Sequence, residues 1–232
     1  MAKKKLPMTI AIIPDGNRRW ARAHKLSILK SYNNGVKKFV EFSEWCRAYG
    51  IRNVTVWAFS SENIKRSREE INALFYIYKK AATSKSLASR LHKTQTRIKI
   101  IGNKQMLPKD LIRSLSKLEK ETEGYKDGII NVLIGYGGRE DLIHSVKYLA
   151  NHATLKIKDI EKEFEKHLIS SQIPNIDFII RTSGEKRLSG FMPWQTGYSE
   201  LYFSKKLWPD FTRKDLSNAL NDYNNRQRRF GR

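Results

Sequence analysis

With 232 residues, the chain is long enough for one sizeable core, and a single α/β domain over residues 1–232 is the leading expectation. Its 45 Lys and Arg against 23 Asp and Glu give a formal net charge of +22, which directs attention to anionic partners: nucleic acid, acidic lipid or a phosphorylated substrate. Cys46 is the single cysteine, so disulfide frameworks and cysteine-based zinc sites are excluded within one chain. The start, MAKKKLPM, is basic and reads as a flexible tail over residues 1–8. The apolar run after it stops at Pro14-Asp15, too short for a signal sequence, and no apolar stretch approaches membrane-spanning length. A soluble, cytoplasmic protein is expected, with peripheral contact to an anionic membrane as an added expectation from the charge.

In chain order, short β-rich runs alternate with helical patterns. Strands are expected at Thr9–Ile13, Asn53–Phe59, Arg97–Ile101, Ile129–Ile134 and Asp177–Ile180, with Leu201–Phe203 a weaker sixth. Between them, Val36, Phe39, Val40 and Cys46 share one helical face; Ile71, Leu74, Phe75, Ile77 and Tyr78 form another, and Leu111, Leu115 and Leu118 a third. Strand and helix in repetition predict a mainly parallel sheet flanked by helices. In such sheets, ligands bind outside the carboxyl ends of the strands.

That rule changes the reading of AIIPDGNRRWA. Alone, it is a turn with solvated arginines. Yet Asp15, Ser60-Ser61-Glu62-Asn63, Gly135-Tyr136-Gly137-Gly138-Arg139 and Arg181-Thr182-Ser183-Gly184-Glu185 each follow an expected strand directly. Arg18, Arg19, Arg66, Arg139, Arg181 and Arg187 fall in or just after these segments. Guanidinium forks bind phosphate oxygens in pairs, and Gly16, Gly137, Gly138 and Gly184 suit close backbone approach. There is no Walker sequence and no GxGxxG. Asp15 among arginines suits a divalent cation lying between a carboxylate and a diphosphate, with Glu62 and Glu200 as further ligands or orienting groups. Arg139 beside Glu140 and Asp141 also reads as a capped helix start, and Trp194 and Trp208 as core or interface.

The segments AIIPDGNRRWA, VWAFSSENIKR, IGYGGRED, IIRTSGEKRLSGFMPWQTGYSELYF, LWPDF and RQRRFG occur in the order found in cis-prenyltransferases, and from about Thr9 to Gly231 the chain resembles that family, of which undecaprenyl diphosphate synthase is the familiar member. The resemblance implies a six-stranded sheet, a hydrophobic tunnel between sheet and helices, and a homodimer. It implies condensation of an allylic isoprenyl diphosphate with isopentenyl diphosphate to give a cis-polyprenyl diphosphate. On matching motifs, Asp15 and Glu200 would hold Mg²⁺, and Gly16, Asn17, Arg18 and Arg19, followed by Trp20, would cradle the allylic diphosphate. Ser60, Ser61, Glu62, Ile64 and Arg66 surround Asn63, which matches the residue assisting proton removal. Arg181, Arg187 and Ser189 match the second diphosphate site, and Arg229 and Gly231 the terminal RxG that reaches the neighbouring subunit.

Four departures stand against the match. Ile28 and Tyr32 occupy the places of an arginine and a histidine, Ile64 that of a tryptophan, and Gly135 that of an asparagine. Each lost charge-assisted contact is worth roughly 1.5–3 kcal/mol, so compensation from Arg18, Lys30 or the Tyr32 hydroxyl is expected. One reading is drift within a chain-elongating enzyme. Another is a limited or non-head-to-tail condensation with an acceptor such as dimethylallyl diphosphate. A non-catalytic subunit conflicts with retention of Asp15, Arg19, Asn63, Arg181, Arg187 and Glu200. A nucleic-acid-binding protein is not expected, because the ordered strand-end clusters would go unexplained.

Overall fold

Parallel strands need a crossover between neighbours, and the helical patterns between the β-branched runs supply one. In the computed structural model, which describes residues 6–152 and 157–226, six strands form one sheet. They are β1 (Thr9–Ile13), β2 (Asn53–Ser60), β3 (Thr96–Ile101), β4 (Gly128–Tyr136), β5 (Phe178–Arg181) and β6 (Glu200–Phe203). Their order is β3-β4-β2-β1-β5-β6, and every neighbouring pair is parallel. The expected sheet is therefore present, with no antiparallel member, and the weak sixth run forms its edge.

The helices among the described residues are α1 (Asn17–Ala23), α2 (Ile28–Ala48), α3 (Arg68–Ala82), α4 (Lys85–Lys93), α5 (Lys109–Glu121), α6 (Gly138–Ala150), α7 (Ile160–Lys166) and α8 (Arg213–Asn225). Serine caps start three of them: Ser27, Ser67 and Ser84 accept from the N–H groups of Lys30, Glu70 and Leu87, each worth about 1 kcal/mol. On one sheet face, Ile10, Ile12, Val54, Val56, Ile98 and Ile130 join a core with α2, α3, α5 and α8. The other face, with Ala11, Ile13, Leu133 and Ile179, is covered by Ile173, Ile176, Phe191 and Met192. Of the tail read over residues 1–8, Leu6 packs on the core, Pro7 is buried, and the Met8 N–H donates to Asp177; residues 1–5 lie outside the described residues.

The first face is not filled throughout. A cavity of about 790 Å³ lies between sheet and helices, floored by Val54, Val56, Ile98, Ile100, Ile130 and Val132. Val36, Phe39 and Val40 of α2, Leu74 and Tyr78 of α3, and Leu115 and Leu118 of α5 form its walls. It reaches from Asp15, just past the end of β1, to Thr96 and Gly128, the first residues of β3 and β4. The cavity thus runs the length of the strands, and β4 with its nine residues spans roughly 27–30 Å. No described helix is long and apolar enough to cross a membrane.

Cys46 sits fully buried in the α2 core, and that burial pushes its thiol pKa up. It is expected to resist a thiol-reactive dye in native buffer and to label completely in denaturant. Fast native labelling, followed by mass spectrometry, would show that α2 opens from the sheet.

Candidate active site

The register of β1 beside β5 brings the site together. Ile13 pairs with Arg181, so the last residue of β5 lies next to the turn that follows β1. Arg181 Nη2 donates to Asp15 Oδ2 at 2.8 Å, and its Nη1 donates to the Arg187 carbonyl and to Ser189 Oγ. Arg181 is only 6 % exposed, and its Nε has no partner. Arg19, one helical turn beyond Asp15, reaches Asp15 Oδ1 at 3.4 Å and donates to Ser183 Oγ at 2.6 Å. The Asp15 carbonyl accepts from Thr182 Oγ1 and from the Trp208 N–H, which fixes the turn. Burial opposes the charged form of Asp15, but the hydrogen bond and charge of Arg181, backed by Arg19, outweigh it and hold its carboxyl below the ordinary value. Both serines that hold these arginines have left-handed backbones, Ser183 at φ 78° and Ser189 at φ 55°, a conformation that costs of order 1–3 kcal/mol and clusters at functional sites.

Across the cavity mouth, β2 runs into a 3₁₀ turn over Ser61–Lys65. The Asn63 side-chain carbonyl accepts from the Ser60 N–H at 3.1 Å, which orients the side chain and leaves its amide NH₂ outside that bond. The next turn of chain is organised by Glu70, a buried carboxylate that the sequence reading passed over. Glu70 Oε1 accepts from Tyr32 Oη at 2.6 Å and from Arg66 Nη1 at 3.0 Å, Arg66 Nη1 also donates to Tyr32 Oη at 2.9 Å, and Arg18 Nε lies 3.6 Å from Glu70 Oε2. Of the three expected compensators, Arg18 and the Tyr32 hydroxyl converge on Glu70, whereas Lys30 is exposed on α2. Glu185, named in the sequence only as the end of a strand-end segment, pairs with both Arg19 and Arg187.

Twelve of the residues singled out in the sequence line this cavity: Asp15, Gly16, Asn17, Arg18, Arg19 and Tyr32 on one side, and Ser60, Glu62, Asn63, Arg66, Arg181 and Ser189 on the other. Arg22, not singled out, joins them. Others go elsewhere. Trp20 buries its ring and donates its indole N–H to Asp210 at 2.7 Å, tying α1 down. Ser61 is buried, Ile64 is exposed outside the cavity, and Arg187 is exposed beside Glu185. Gly137 and Gly138 cradle no ligand space: a Cβ on either would collide with Ser61 Oγ or the Gly190 carbonyl. Gly135 has φ 66°, and its added Cβ would lie 2.7 Å from the Asn103 carbonyl, so the departure there has a local steric cause. Arg139 is exposed, while Asp141 is a buried acceptor for Tyr136 Oη and the Ser170 hydroxyl.

Glu200 does not meet Asp15 within this chain. It is the first residue of β6, and parallel strands put that start at the amino edge of the sheet, opposite the edge that carries Asp15. There it accepts from Arg226 Nη1 at 2.8 Å. Arg229 and Gly231 lie outside the described residues. No group of three metal-ligating side chains occurs among the described residues. Asp15, a carboxylate between Arg19 and Arg181 at the cavity mouth, fits magnesium, because this ion takes one or two carboxylates plus phosphate oxygens and water.

Five guanidiniums at the head of a long apolar cavity, those of Arg18, Arg19, Arg22, Arg66 and Arg181, define a protein for molecules with an anionic head and a hydrocarbon tail. The comparisons with known proteins carry this to a family. A family model described as "Putative undecaprenyl diphosphate synthase" matches residues 13–231. The chain is 41 % identical to an isoprenyl transferase of Thermus thermophilus over 98 % of its own length and 89 % of that protein's. It is likewise 41 % identical to a tritrans,polycis-undecaprenyl-diphosphate synthase (geranylgeranyl-diphosphate specific) of Thermoplasma acidophilum, covering 97 % of this chain and 89 % of that one. Among solved structures, lavandulyl diphosphate synthase of Lavandula x intermedia in complex with dimethylallyl diphosphate superposes with a TM-score of 0.92 at 34 % identity, over 98 % of this chain and 99 % of that chain. The chain belongs to the cis-prenyltransferase family, and it is a prenyltransferase.

Proposed function

We propose that the enzyme condenses an allylic isoprenyl diphosphate with isopentenyl diphosphate, dependent on Mg²⁺, to lengthen a cis-polyprenyl diphosphate. The observation that carries this is Asp15, held ionised between Arg19 and Arg181 where the apolar cavity meets the carboxyl edge. The C1–O bond of the allylic substrate breaks and diphosphate leaves; the double bond of isopentenyl diphosphate attacks C1, and a proton leaves its C2. Arg18, Arg19 and Arg66 receive the allylic diphosphate, Arg181 and Ser189 with Arg187 the second one, and Asn63 orients the reacting groups through its NH₂. An amide is a poor base, so the departing diphosphate is the better proton acceptor. Asp15 would hold Mg²⁺, which would supply positive charge where the diphosphate leaves. The hydrocarbon grows into the cavity, which serves as the tunnel.

The same reading assigns Glu200 and the terminal Arg229 and Gly231 to a partner subunit's site in a homodimer. Glu200 is remote from its own Asp15, and Arg226, the last described residue, is bound to Glu200 at that far edge. Exposed Ile143 and Val146, one turn apart on α6, offer apolar surface for association. The positive surface would rest on anionic membrane of the cytoplasmic face.

The test is incubation with Mg²⁺, geranylgeranyl diphosphate and labelled isopentenyl or dimethylallyl diphosphate in separate tubes. A ladder of C5 increments from isopentenyl diphosphate alone supports elongation. A single product of fixed length, or incorporation from dimethylallyl diphosphate, supports the second reading, a limited or non-head-to-tail condensation. That alternative is favoured by the likeness to the lavandulyl diphosphate synthase structure and by Tyr32, the departure that lines the cavity mouth; Ile28 and Ile64 lie outside the cavity lining.

One departure also gives a mutational test. Tyr32→His would place an imidazole against Glu70, whose charge favours the protonated ring and thus an added cation at the mouth. The KM for the allylic diphosphate is expected to fall roughly tenfold, with kcat little changed. An unchanged KM would mean that position 32 does not face the diphosphate.

A further inference from the structure

The two ends of the cavity differ from its middle, and only one end has been assigned. At the amino edge, α2 and α4 pass over Arg52 and the starts of β3 and β4. Glu44 and Arg47 of α2, Arg90 of α4 and Arg52 line the cavity there. Arg90 Nη1 meets Glu44 Oε1 at 2.9 Å, an ion pair joining α2 to α4. Arg47 donates to the Asp127 carbonyl and lies 3.8 Å from its carboxylate. Immediately inward the lining is apolar: Val40, Leu87, Leu91, Leu118 and Ile130. The wall therefore changes from hydrocarbon to three guanidiniums and a carboxylate within about one helical turn, roughly 6 Å along α2 from Val40 to Glu44.

That change matters to a growing tail. Each isoprene unit placed between apolar walls is withdrawn from water and gains accordingly. A unit reaching the rim gains nothing comparable, because it must displace water from charged groups without pairing them. The Glu44–Arg90 side chains are about half exposed, 48 % and 53 %, and such pairs are weak, so they close the end without locking it.

We propose that this charged rim, closed by the Glu44–Arg90 pair, sets the length of the isoprenoid that the cavity holds. The inference rests on the prenyl diphosphate reading above and adds the residues at which elongation ends. Two variants test it: Glu44→Leu with Arg90→Leu, which extends the apolar wall, and the exchange Glu44→Arg with Arg90→Glu, which keeps a pair. Both positions are at the surface, where substitutions leave the core untouched.

The first readout is calorimetric binding of straight-chain alkyl phosphates of increasing length, which requires no condensation. Parent affinity is expected to rise with tail length and then level off; the double leucine variant should level off at a longer tail, and the exchanged pair should follow the parent. The second readout is product size from geranylgeranyl and isopentenyl diphosphates, expected to lengthen by at least one C5 unit in the double leucine variant alone. Identical plateaus in parent and double leucine variant would overturn the proposal. A parent that binds alkyl phosphates but makes no product would overturn the elongation reading instead, and the plateau comparison would still decide the rim.

Discussion

Replacing Asp15 with alanine is expected to cut magnesium-dependent condensation by roughly 10²–10³-fold while strengthening the binding of inorganic diphosphate in the absence of metal. Both expectations follow from the same contacts. In the ligand-free site, Asp15 neutralises Arg181 at 2.8 Å and Arg19 at 3.4 Å. Its own charge repels an incoming diphosphate unless a cation intervenes. Without the carboxylate, Arg181 faces the anion unopposed and Arg19 is answered only by Glu185, so metal-free affinity rises. The productive complex loses this chain's own carboxylate placed to hold magnesium, so charge developing on the leaving diphosphate is left to the arginines alone. Calorimetry with diphosphate in a chelator, set beside single-turnover rates with magnesium, separates the two effects. Parallel losses in both would show that Asp15 merely held Arg19 and Arg181 in place. Asp15 is also the ion partner of buried Arg181, so the variant should unfold at a lower denaturant concentration than the parent, and both assays are run well below that midpoint.

Period and punctuation made the sheet legible. Runs such as TIAII and TRIKII are β-branched and short, and each amphipathic stretch between runs is long enough for a crossover. The rule about carboxyl ends then located Asp15, Arg181 and Ser60–Asn63 together. What the sequence hid was pairing. Glu70 follows Ser67 by three residues and reads as part of a helix start; that it also gathers Tyr32, Arg66 and Arg18 depends on α1, α2 and α3 meeting. Glu185 looks like a solvated loop charge, yet it spans Arg19 and Arg187. Gly137 and Gly138 suggest a phosphate cradle by composition, but the start of α6 needs them to pass Ser61 and Gly190. Glu200 is the instructive case. The strand after it was recognised, and a parallel strand beginning there puts its first residue on the edge opposite Asp15. The motif match placed the two carboxylates in one site, and topology separates them within a chain.

Arg181→Leu is expected to destabilise the fold by roughly 3 kcal/mol at neutral pH, because it leaves Asp15 with its burial and without its main partner. The pH dependence identifies the cause. In the parent, the Asp15 carboxyl is held below its unfolded value. It therefore contributes stability above the unfolded value, and that contribution is lost as pH falls through the folded value. In the variant, Arg181's hydrogen bond and charge are gone, while burial still pushes the carboxyl up. The folded value then rises toward the unfolded one, near 3.9, because only Arg19 and Ser183 still oppose burial, so the stability that the ionised carboxylate contributes in the parent at neutral pH is lost. The gap between parent and variant should thus be widest near neutrality and narrow as the pH approaches about 3.5. Urea unfolding at the two pH values measures it. Arg181→Leu combined with Asp15→Asn should narrow the gap at neutral pH, since no charge is then stranded. A gap that stays constant with pH would place the role of Arg181 in its contacts with Arg187 and Ser189, as a brace for the strained loop, and not in holding Asp15 ionised.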